Sequence, residues 1–226
     1  GSGCAAFAVD GLRVRVQGGA QDGAGKCALG GDLAVLRARN AEGRWVGGHV
    51  GKSFAYGAQR GRFLVQGDAD ARCGIRLSGA DVVIGGEPRR PLDDRRGSLG
   101  ADANCKGFAF EYMTGGRAVV LGDPGPWLCS GMTGGVVYVR QEPAWGLDGA
   151  AVRRRLSKAA HVSVVTLDEA DQDAVRELLG HYRRALAASG QPDAAAALDP
   201  LIAEPADHFV AVVPFGRQAG RDRATE

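Results

Sequence analysis

Residues Glu111–Arg140, EYMTGGRAVVLGDPGPWLCSGMTGGVVYVR, contain one short pattern twice. In both copies Met-Thr-Gly-Gly precedes four mainly apolar residues, at Met113–Val120 and again at Met132–Val139, with an offset of 19 residues. Two adjacent glycines permit a sharp turn, because glycine adopts φ > 0 without a Cβ clash. The run that follows is too short for a helix and is rich in β-branched residues. Each copy therefore predicts a glycine turn that leads into a short strand.

Weaker copies of the pattern lie upstream, at Gly30–Leu36, Arg60–Val65 and Ser78–Ile84. The residues that open the successive strands are Asp32, Arg62, Asp81, Arg117 and Val136. They are separated by 30, 19, 36 and 19 residues, so one step is close to two periods and another is one period with an insertion around 40–44. A unit this small cannot bury its apolar face alone, so the units are expected to stack.

The pattern also identifies a set of structural turn glycines, which are Gly30, Gly31, Gly61, Gly79, Gly115, Gly116, Gly134 and Gly135. Short strands are expected after the turns, at 33–37, 62–66, 81–85, 117–121 and 136–140, with further strands at 44–46 and 73–77. At the usual spacing between strands, of about 4.8 Å, five or six turns of chain would form a stack about 25–30 Å tall.

These phrases resemble a known family. EYMTGGRAVVLG and SGMTGGVVYV, with GAGKCALGGDLAVL and IRLSGADVVIGG before them, are similar to the C-terminal GxGxG domain of the glutamate synthase large subunit, over residues 20–215. The resemblance implies a right-handed parallel β-helix of five or six coils, followed by a helical hairpin and a final strand. The period alone would also fit a β-propeller or another solenoid.

The segment between Gly86 and Phe110 is longer than the link in glutamate synthase. Its Ser98–Asp102 looks more like the stand-alone relatives of the domain, which are small subunits of N-methylglutamate-synthase-like and formylmethanofuran-dehydrogenase-like complexes. The resemblance therefore covers both a domain of a large enzyme and a separate subunit.

We expect three parts in the chain: an N-terminal strand over residues 1–21 that covers the open end of the stack, the glycine-rich β-helix over 22–141, and an α/β appendage over 142–226. In the first part, apolar and polar residues alternate from Leu12 to Gln17, as in a half-buried strand.

The appendage is expected to begin with an exposed segment and to end in a frayed tail. Arginines 153–155 predict the exposed segment at Ala150–Ala160, and the charged residues Gly216–Glu226 predict the tail. Between them we expect a strand at Val162–Leu167, helices at Leu167–Ser189 and Pro192–Ile202, and a last strand at Phe209–Val213.

Composition limits the classes of function. The net charge is only +2 and aromatic residues make up 6%, which argues against a nucleic-acid surface. No apolar run approaches the length of a membrane span. The five cysteines are odd in number and contain no CxxC, which favours a reducing, cytoplasmic compartment.

The sequence predicts no catalytic, cofactor-binding or metal-binding residues in this chain. His49, His161, His181 and His208 are far apart and lack metal-site spacing. Gly23–Lys26 is glycine-rich, but it lacks the spacing and the Ser or Thr of a phosphate-binding loop.

Two features nevertheless have two interpretations each. Arg62, Asp81 and Arg117 open successive strands, so they form either an anion-binding ladder or a set of charges that neutralise one another in solvent. The loop Glu87–Asn104 is either a docking loop for a partner or a solvated excursion.

The resemblance implies a non-catalytic scaffold of a glutamate-synthase-type amidotransferase. Glutaminase-type and flavin-dependent synthase domains or subunits would be its partners, and flavin and iron–sulfur centres would be bound by them. The alternatives are an adaptor subunit of another flavin- or metal-dependent complex, or a metal-binding enzyme module that uses Cys73, Cys105, Cys129 and His49. A homo-oligomer is a further possibility.

Overall fold

The long strands of the protein form one mixed sheet. The computed structural model describes residues 1–94, 99–100 and 102–216. Its strands are β1 (Arg13–Gln17), β2 (Gly19–Ala20), β3 (Leu29–Arg39), β4 (Trp45–Gly47), β5 (His49–Val50), β6 (Arg60–Val65), β7 (Ser78–Ile84), β8 (Thr114–Val120), β9 (Gly134–Arg140), β10 (Val162–Val165) and β11 (Phe209–Pro214). The main sheet has the order β1-β3-β6-β7-β8-β9-β11-β10, and β4 pairs with β3 beside it. Strands β2 and β5 form a separate parallel pair.

Six neighbouring strands of the main sheet are parallel and share one register; they are β1, β3, β6, β7, β8 and β9. Arg13 pairs with Asp32, which pairs with Arg62, and the same line continues through later strands. Its remaining members are Asp81, Arg117 and Val136. The predicted equivalence of the residues that open the strands is therefore confirmed.

The turn glycines lie where this register shifts. Pairing shifts between Leu29 and Asp32, and the same irregularity recurs in β7 and β8. Of the predicted turn glycines, Gly31, Gly61, Gly116 and Gly135 have positive φ. The other four, Gly30, Gly79, Gly115 and Gly134, lie so close to neighbouring atoms that a Cβ would collide with them.

The side of each unit opposite the sheet is built from six five-residue segments with an unusual backbone. The segments begin at Gly3, Gly23, Ser53, Arg72, Phe108 and Trp127, and in each the first, third and fifth residues have φ between 53° and 69°. Every non-glycine residue with positive φ in the described part of the chain belongs to one of them. We call these the left-handed segments.

Backbone hydrogen bonds join the left-handed segments in a regular way. In each step the third residue donates its N–H to the carbonyl of the second residue in the preceding segment, as Phe110 does to Cys73 at 2.7 Å. The first and fifth residues donate forward, as Arg72 does to Gly107 and Arg76 to Glu111. Three bonds for each of five steps make fifteen in all. These bonds offset a conformational cost of about 1–2 kcal/mol for each non-glycine residue at positive φ.

The predicted right-handed parallel β-helix is wrong. Only one side of the repeated unit forms a continuous sheet, and this sheet is mixed because β10 and β11 are antiparallel to their neighbours. The left-handed segments occupy the opposite side, and alternating positive φ is incompatible with an extended strand. For the same reason the strand expected at 73–77 is absent: residues 73–76 lie in the left-handed segment that begins at Arg72. The short strand expected at 44–46 is β4.

The helices are α1 (Gly149–Arg155), α2 (Glu169–Ala187), α3 (Pro192–Ala196), α4 (Asp199–Ala203) and α5 (Pro205–His208), and a 3₁₀ turn covers Pro143–Trp145. The predicted helical hairpin is thus one long helix followed by three short ones, because Pro200 and Pro205 interrupt the second helix. Helix α2 begins at a capping box made by Asp168 and Asp171. The tail at 217–226, predicted to fray, lies outside the described residues.

Two apolar clusters lie on the two faces of the main sheet. One lies between the sheet and the left-handed segments and contains Phe54, Phe63 and Phe110. The other lies between the sheet and α2 and includes the predicted apolar stripe of that helix, which is Val175, Leu178, Leu179, Tyr182 and Leu186. The sheet is therefore buried on both faces over most of its area.

The division of the chain into three parts, with boundaries at residues 21 and 141, stays a prediction.

Substitution of Gly116 by alanine should destabilise the protein strongly. Gly116 has φ +89°, and an added Cβ would lie 2.5 Å from the carbonyl oxygen of Ala80 on the neighbouring strand. We expect a loss of at least about 3 kcal/mol in the free energy of unfolding, measured by urea denaturation. Gly190→Ala is the matched control, because Gly190 has φ +80° and nothing within 4 Å of the added Cβ. A loss of about 1 kcal/mol is expected there, and equal losses in the two variants would contradict the role of close packing.

Candidate functional site

A line of alternating charges crosses the face of the sheet that α2 covers. It consists of Arg13, Asp32, Arg62, Asp81 and Arg117, one on each of five neighbouring strands. We call it the charge ladder. Arg62 binds Asp32 through two hydrogen bonds of 2.8 and 2.9 Å, and Arg117 binds Asp81 through two of 2.8 and 2.7 Å. Side chains at one register position of a sheet lie close enough for such pairing, and the two-pronged geometry is the strongest that arginine makes.

Helix α2 is attached to this ladder by two of its side chains. Arg117 donates a third hydrogen bond, to Glu177 Oε2 at 2.7 Å, and Arg62 Nη1 lies 2.5 Å from His181 Nδ1. The hydrogen bond from Arg117 lowers the pKa of Glu177. Burial, followed by the charges of Arg62 and Arg184, lowers the pKa of His181. Arginine can only donate, so His181 accepts as the neutral imidazole.

The geometry favours neutralisation over anion binding in the charge ladder. Both carboxylate oxygens of Asp32 and of Asp81 accept from an arginine, and the signs alternate along the line. Arg62 and Arg117 are thus engaged inside the protein. The ladder fixes the helix layer on the sheet. Arg13, at the end of the ladder, differs from the other two arginines because its side chain is exposed to solvent.

A second charged cluster is buried at the other end of the stack. The Arg155 side chain, at the end of α1, is only 1% exposed and donates to both oxygens of Asp123, at 2.5 and 2.8 Å. It also donates two hydrogen bonds of 3.0 Å to Asp94, and Arg154 binds the same carboxylate. The hydrogen bond from Arg155 lowers the pKa of Asp94.

Asn104 extends this cluster toward the preceding strands. Its side chain donates to Asp68 at 2.7 Å and to the carbonyl of Glu87 at 2.9 Å, and its oxygen accepts from the backbone N–H of Asp123. Through these contacts and Asp94, the loop Glu87–Asn104 is anchored at both ends and near its middle. Residues 95–98 and 101, and with them part of the Ser98–Asp102 phrase, lie outside the described residues.

The residues of the alternative metal site do not converge in the described part of the chain. The thiols of Cys73 and Cys105 are buried side by side, and the hydrogen bond between them, followed by burial, raises the pKa of Cys105. Cys129 lies in the last left-handed segment, where burial raises its pKa. His49 instead accepts from the backbone N–H of Asp68. Within residues 1–94, 99–100 and 102–216, no group of three His, Cys, Asp or Glu side chains could hold a metal ion.

Sequence reasoning missed Arg155 entirely. The predicted exposed segment at Ala150–Ala160 contains three consecutive arginines, and nothing in that run distinguishes the buried one. Asp32 was detectable, because the repeat places it in line with Arg62 and the alternation of charge is then visible. His161 is exposed and His208 is half-buried at the end of α5.

Residues 1–90 and 101–215 match the family model of the GXGXG motif. The chain belongs to the GXGXG family. It is 35% identical over 143 residues, 63% of its length, to ferredoxin-dependent glutamate synthase of Spinacia oleracea. It is 34% identical over 141 residues (61%) to the glutamate synthase [NADPH] large chain of Bacillus subtilis, and 36% over 124 residues (54%) to that of Azospirillum brasilense.

The chain spans only about 8% of the length of these glutamate synthases. The family match and these identities confirm the expected relationship to the glutamate synthase large subunit. In the described part of the chain, every helix is too short or too polar to cross a membrane.

Loss of the buried Arg155 should destabilise the protein far more than loss of its neighbour Arg154. Arg155→Met leaves the buried carboxylate of Asp123 without its cation, so we expect about 3–5 kcal/mol of destabilisation. Arg154→Met is the control, because Arg154 binds the same Asp94 from a half-exposed position and should cost about 1 kcal/mol or less. Urea denaturation measures both, and similar losses would show that burial of the Arg155–Asp123 pair does not make Arg155 the more important residue for stability.

His181 should make stability depend on pH. Because the pKa of His181 is lowered on folding, the unfolded chain takes up the proton first as the pH falls below about 6.5. The contribution of the neutral His181 to the free energy of unfolding is therefore complete above that pH and is lost as the pH falls toward the folded-state pKa. In His181→Gln, which keeps an acceptor for Arg62, unfolding free energies between pH 7 and pH 5 should fall less than in the wild type. His161→Gln, at an exposed position, serves as the control; identical pH profiles for the wild type and His181→Gln would refute this role.

Proposed function

We propose that this chain is a non-catalytic scaffold of a glutamate-synthase-type enzyme. In this function it holds glutaminase-type and flavin-dependent synthase domains or subunits at fixed distances, in the cytoplasm. Flavin and iron–sulfur centres belong to those partners. The observation that carries the proposal is the match to about 8% of each glutamate synthase, because most of the relatives' length lies outside this domain.

The physical basis of the proposal is stiffness. Fifteen backbone hydrogen bonds join the left-handed segments, and the parallel strands join the same units on the opposite side. Deformation of one unit would break bonds to both neighbours, so distances between points on the surface are well maintained. The ion pairs of the charge ladder and the Arg155 cluster are engaged within the protein itself.

An adaptor subunit is the second candidate, and one observation favours it. Asn104 and Arg155 hold the described parts of the loop Glu87–Asn104 by hydrogen bonds, and its Arg89 and Arg90 are exposed while they pair with Asp68 and Asp102. A loop that is anchored at Asp94 and Asn104 and carries arginines accessible to solvent suits recognition of an acidic partner surface. The two candidates differ in whether the partners belong to the same polypeptide.

The test is reconstitution. The purified chain, assayed alone for glutamine hydrolysis and for glutamate formation, should show no turnover. With glutaminase-type and synthase partners from the same genome it should co-purify, and the transfer of nitrogen from glutamine should depend on its presence. Gly116→Ala serves as a control for fold integrity, since partner binding should fall with the fraction folded. Turnover by the isolated chain, or full coupled activity of the partners without it, would reject the scaffold proposal.

A further inference from the structure

Strand β1 is an open edge of the main sheet. Among the described residues it pairs with β3 alone. Leu12 accepts from the N–H of Asp32, and Gly18 donates to Leu36, both at 2.8 Å. Bonds to one neighbour come from alternate residues of a parallel strand, so the peptide groups of Val14 and Val16 face β3. Those of Arg13, Arg15 and Gln17 therefore face outward, and such an edge is a template for a further strand.

The charge ladder ends on an unbalanced cation at this edge. The Arg13 side chain is 84% exposed, and its Nε lies 3.9 Å from an Asp32 carboxylate that already binds Arg62 through both oxygens. Arg15, on the same face, donates to the carbonyl of Ala188 and is exposed. A carboxylate on the outer side of Arg13 would continue the alternation of charge along the ladder.

The surroundings of the edge can accommodate an added chain. A groove of about 440 Å³ lies between α2 and the face of β1, β3 and β6 that carries Arg13 and Arg15, so carboxylate side chains on that face of an added strand would border it. Phe7, in the same terminal unit, is 65% exposed, and Val9 and Leu12 are exposed as well. The opposite end of the stack differs, because Arg155 and Ser157 hydrogen-bond to the last left-handed segment at Leu128.

We propose that the β1 edge binds an extended segment of a partner domain, in which carboxylate and apolar side chains alternate and one carboxylate lies opposite Arg13. The carboxylates would share the face of Arg13 and Arg15, and the apolar side chains would share the face of Val14 and Val16, which pack against the core. The inference deepens the scaffold proposal and rests on it for the existence of a partner.

A second copy of this chain is the wrong occupant on electrostatic grounds. Two β1 edges paired with each other would bring Arg13 and Arg15 of both copies together on one face, where like charges are destabilising. An acidic strand instead continues the alternation that Asp32, Arg62, Asp81 and Arg117 already follow.

The test uses two peptides that carry fluorescein on the N-terminal amine, Thr-Val-Glu-Val-Glu-Val-Glu-Thr-amide and its counterpart with Lys in place of Glu. Fluorescence polarisation should show that the Glu peptide binds the full chain and that Arg13→Glu weakens this binding about tenfold. The Lys peptide should prefer Arg13→Glu over the wild type. Arg44→Glu, at an exposed position between β3 and β4, is the control and should change neither affinity.

Amide hydrogen exchange gives an independent result on geometry. The bound Glu peptide should slow exchange at Arg13, Arg15 and Gln17 and leave Val14 and Val16 unchanged, since these two already face β3. Absence of binding at millimolar peptide, equal affinity for both peptides, or protection elsewhere would overturn the proposal. Concentration-dependent dimers that Arg13→Glu abolishes in sedimentation would overturn it in favour of a second copy. The outcome is separable from the scaffold test, because turnover by the isolated chain does not depend on this edge.

Discussion

Backbone register is the constraint on which the other features of this protein depend. The left-handed segments on one side and the parallel strands on the other repeat with nearly the same steps along the chain, and both are hydrogen-bonded to the units before and after them. A slip of one residue would move every strand side chain to the opposite face of the sheet. The two bonded sides fix each other, which allows non-glycine residues such as Phe110 and Tyr112 to remain at positive φ.

The register of the strands determines which charged side chains of the charge ladder can pair with one another. Five charged residues of alternating sign lie in one line because their strands are aligned, and each aspartate binds an arginine on the next strand. The same line holds α2 through Glu177 and His181. Single exposed ion pairs contribute little to stability, whereas a partly buried network with two-pronged arginines contributes more. The network thus orients the helix layer on a sheet whose apolar face alone would allow it to slide.

The two ends of the stack are unlike each other. At the C-terminal end, residues 155–157 cover the last left-handed segment, and β11 covers β9. Arg155, the last residue of α1, binds Asp94 of the loop and the buried Asp123. At the N-terminal end, β1 presents outward-facing peptide groups, exposed apolar side chains and Arg13. In the scaffold role that we propose, the two ends would therefore meet other domains in different ways. The chain belongs to the GXGXG family, and its match covers only 8% of the glutamate synthase of Spinacia oleracea.

Local periodicity encodes the repeat, the alignment of Arg62, Asp81, Arg117 and Val136, and the apolar stripe of α2, whereas the resemblance of whole phrases indicates the family. The mixed sheet, the left-handed segments and the burial of Arg155 depend on contacts between residues far apart in the chain. The segments contradict the local preference of residues such as Phe108 and Trp127, so bonds to neighbouring units must impose them. Arg155 binds carboxylates 32 and 61 residues away, and no local pattern encodes contacts at that separation. The same limit explains the incorrect β-helix: a period specifies that units stack, while the backbone on each side depends on which hydrogen bonds the stacked units can form.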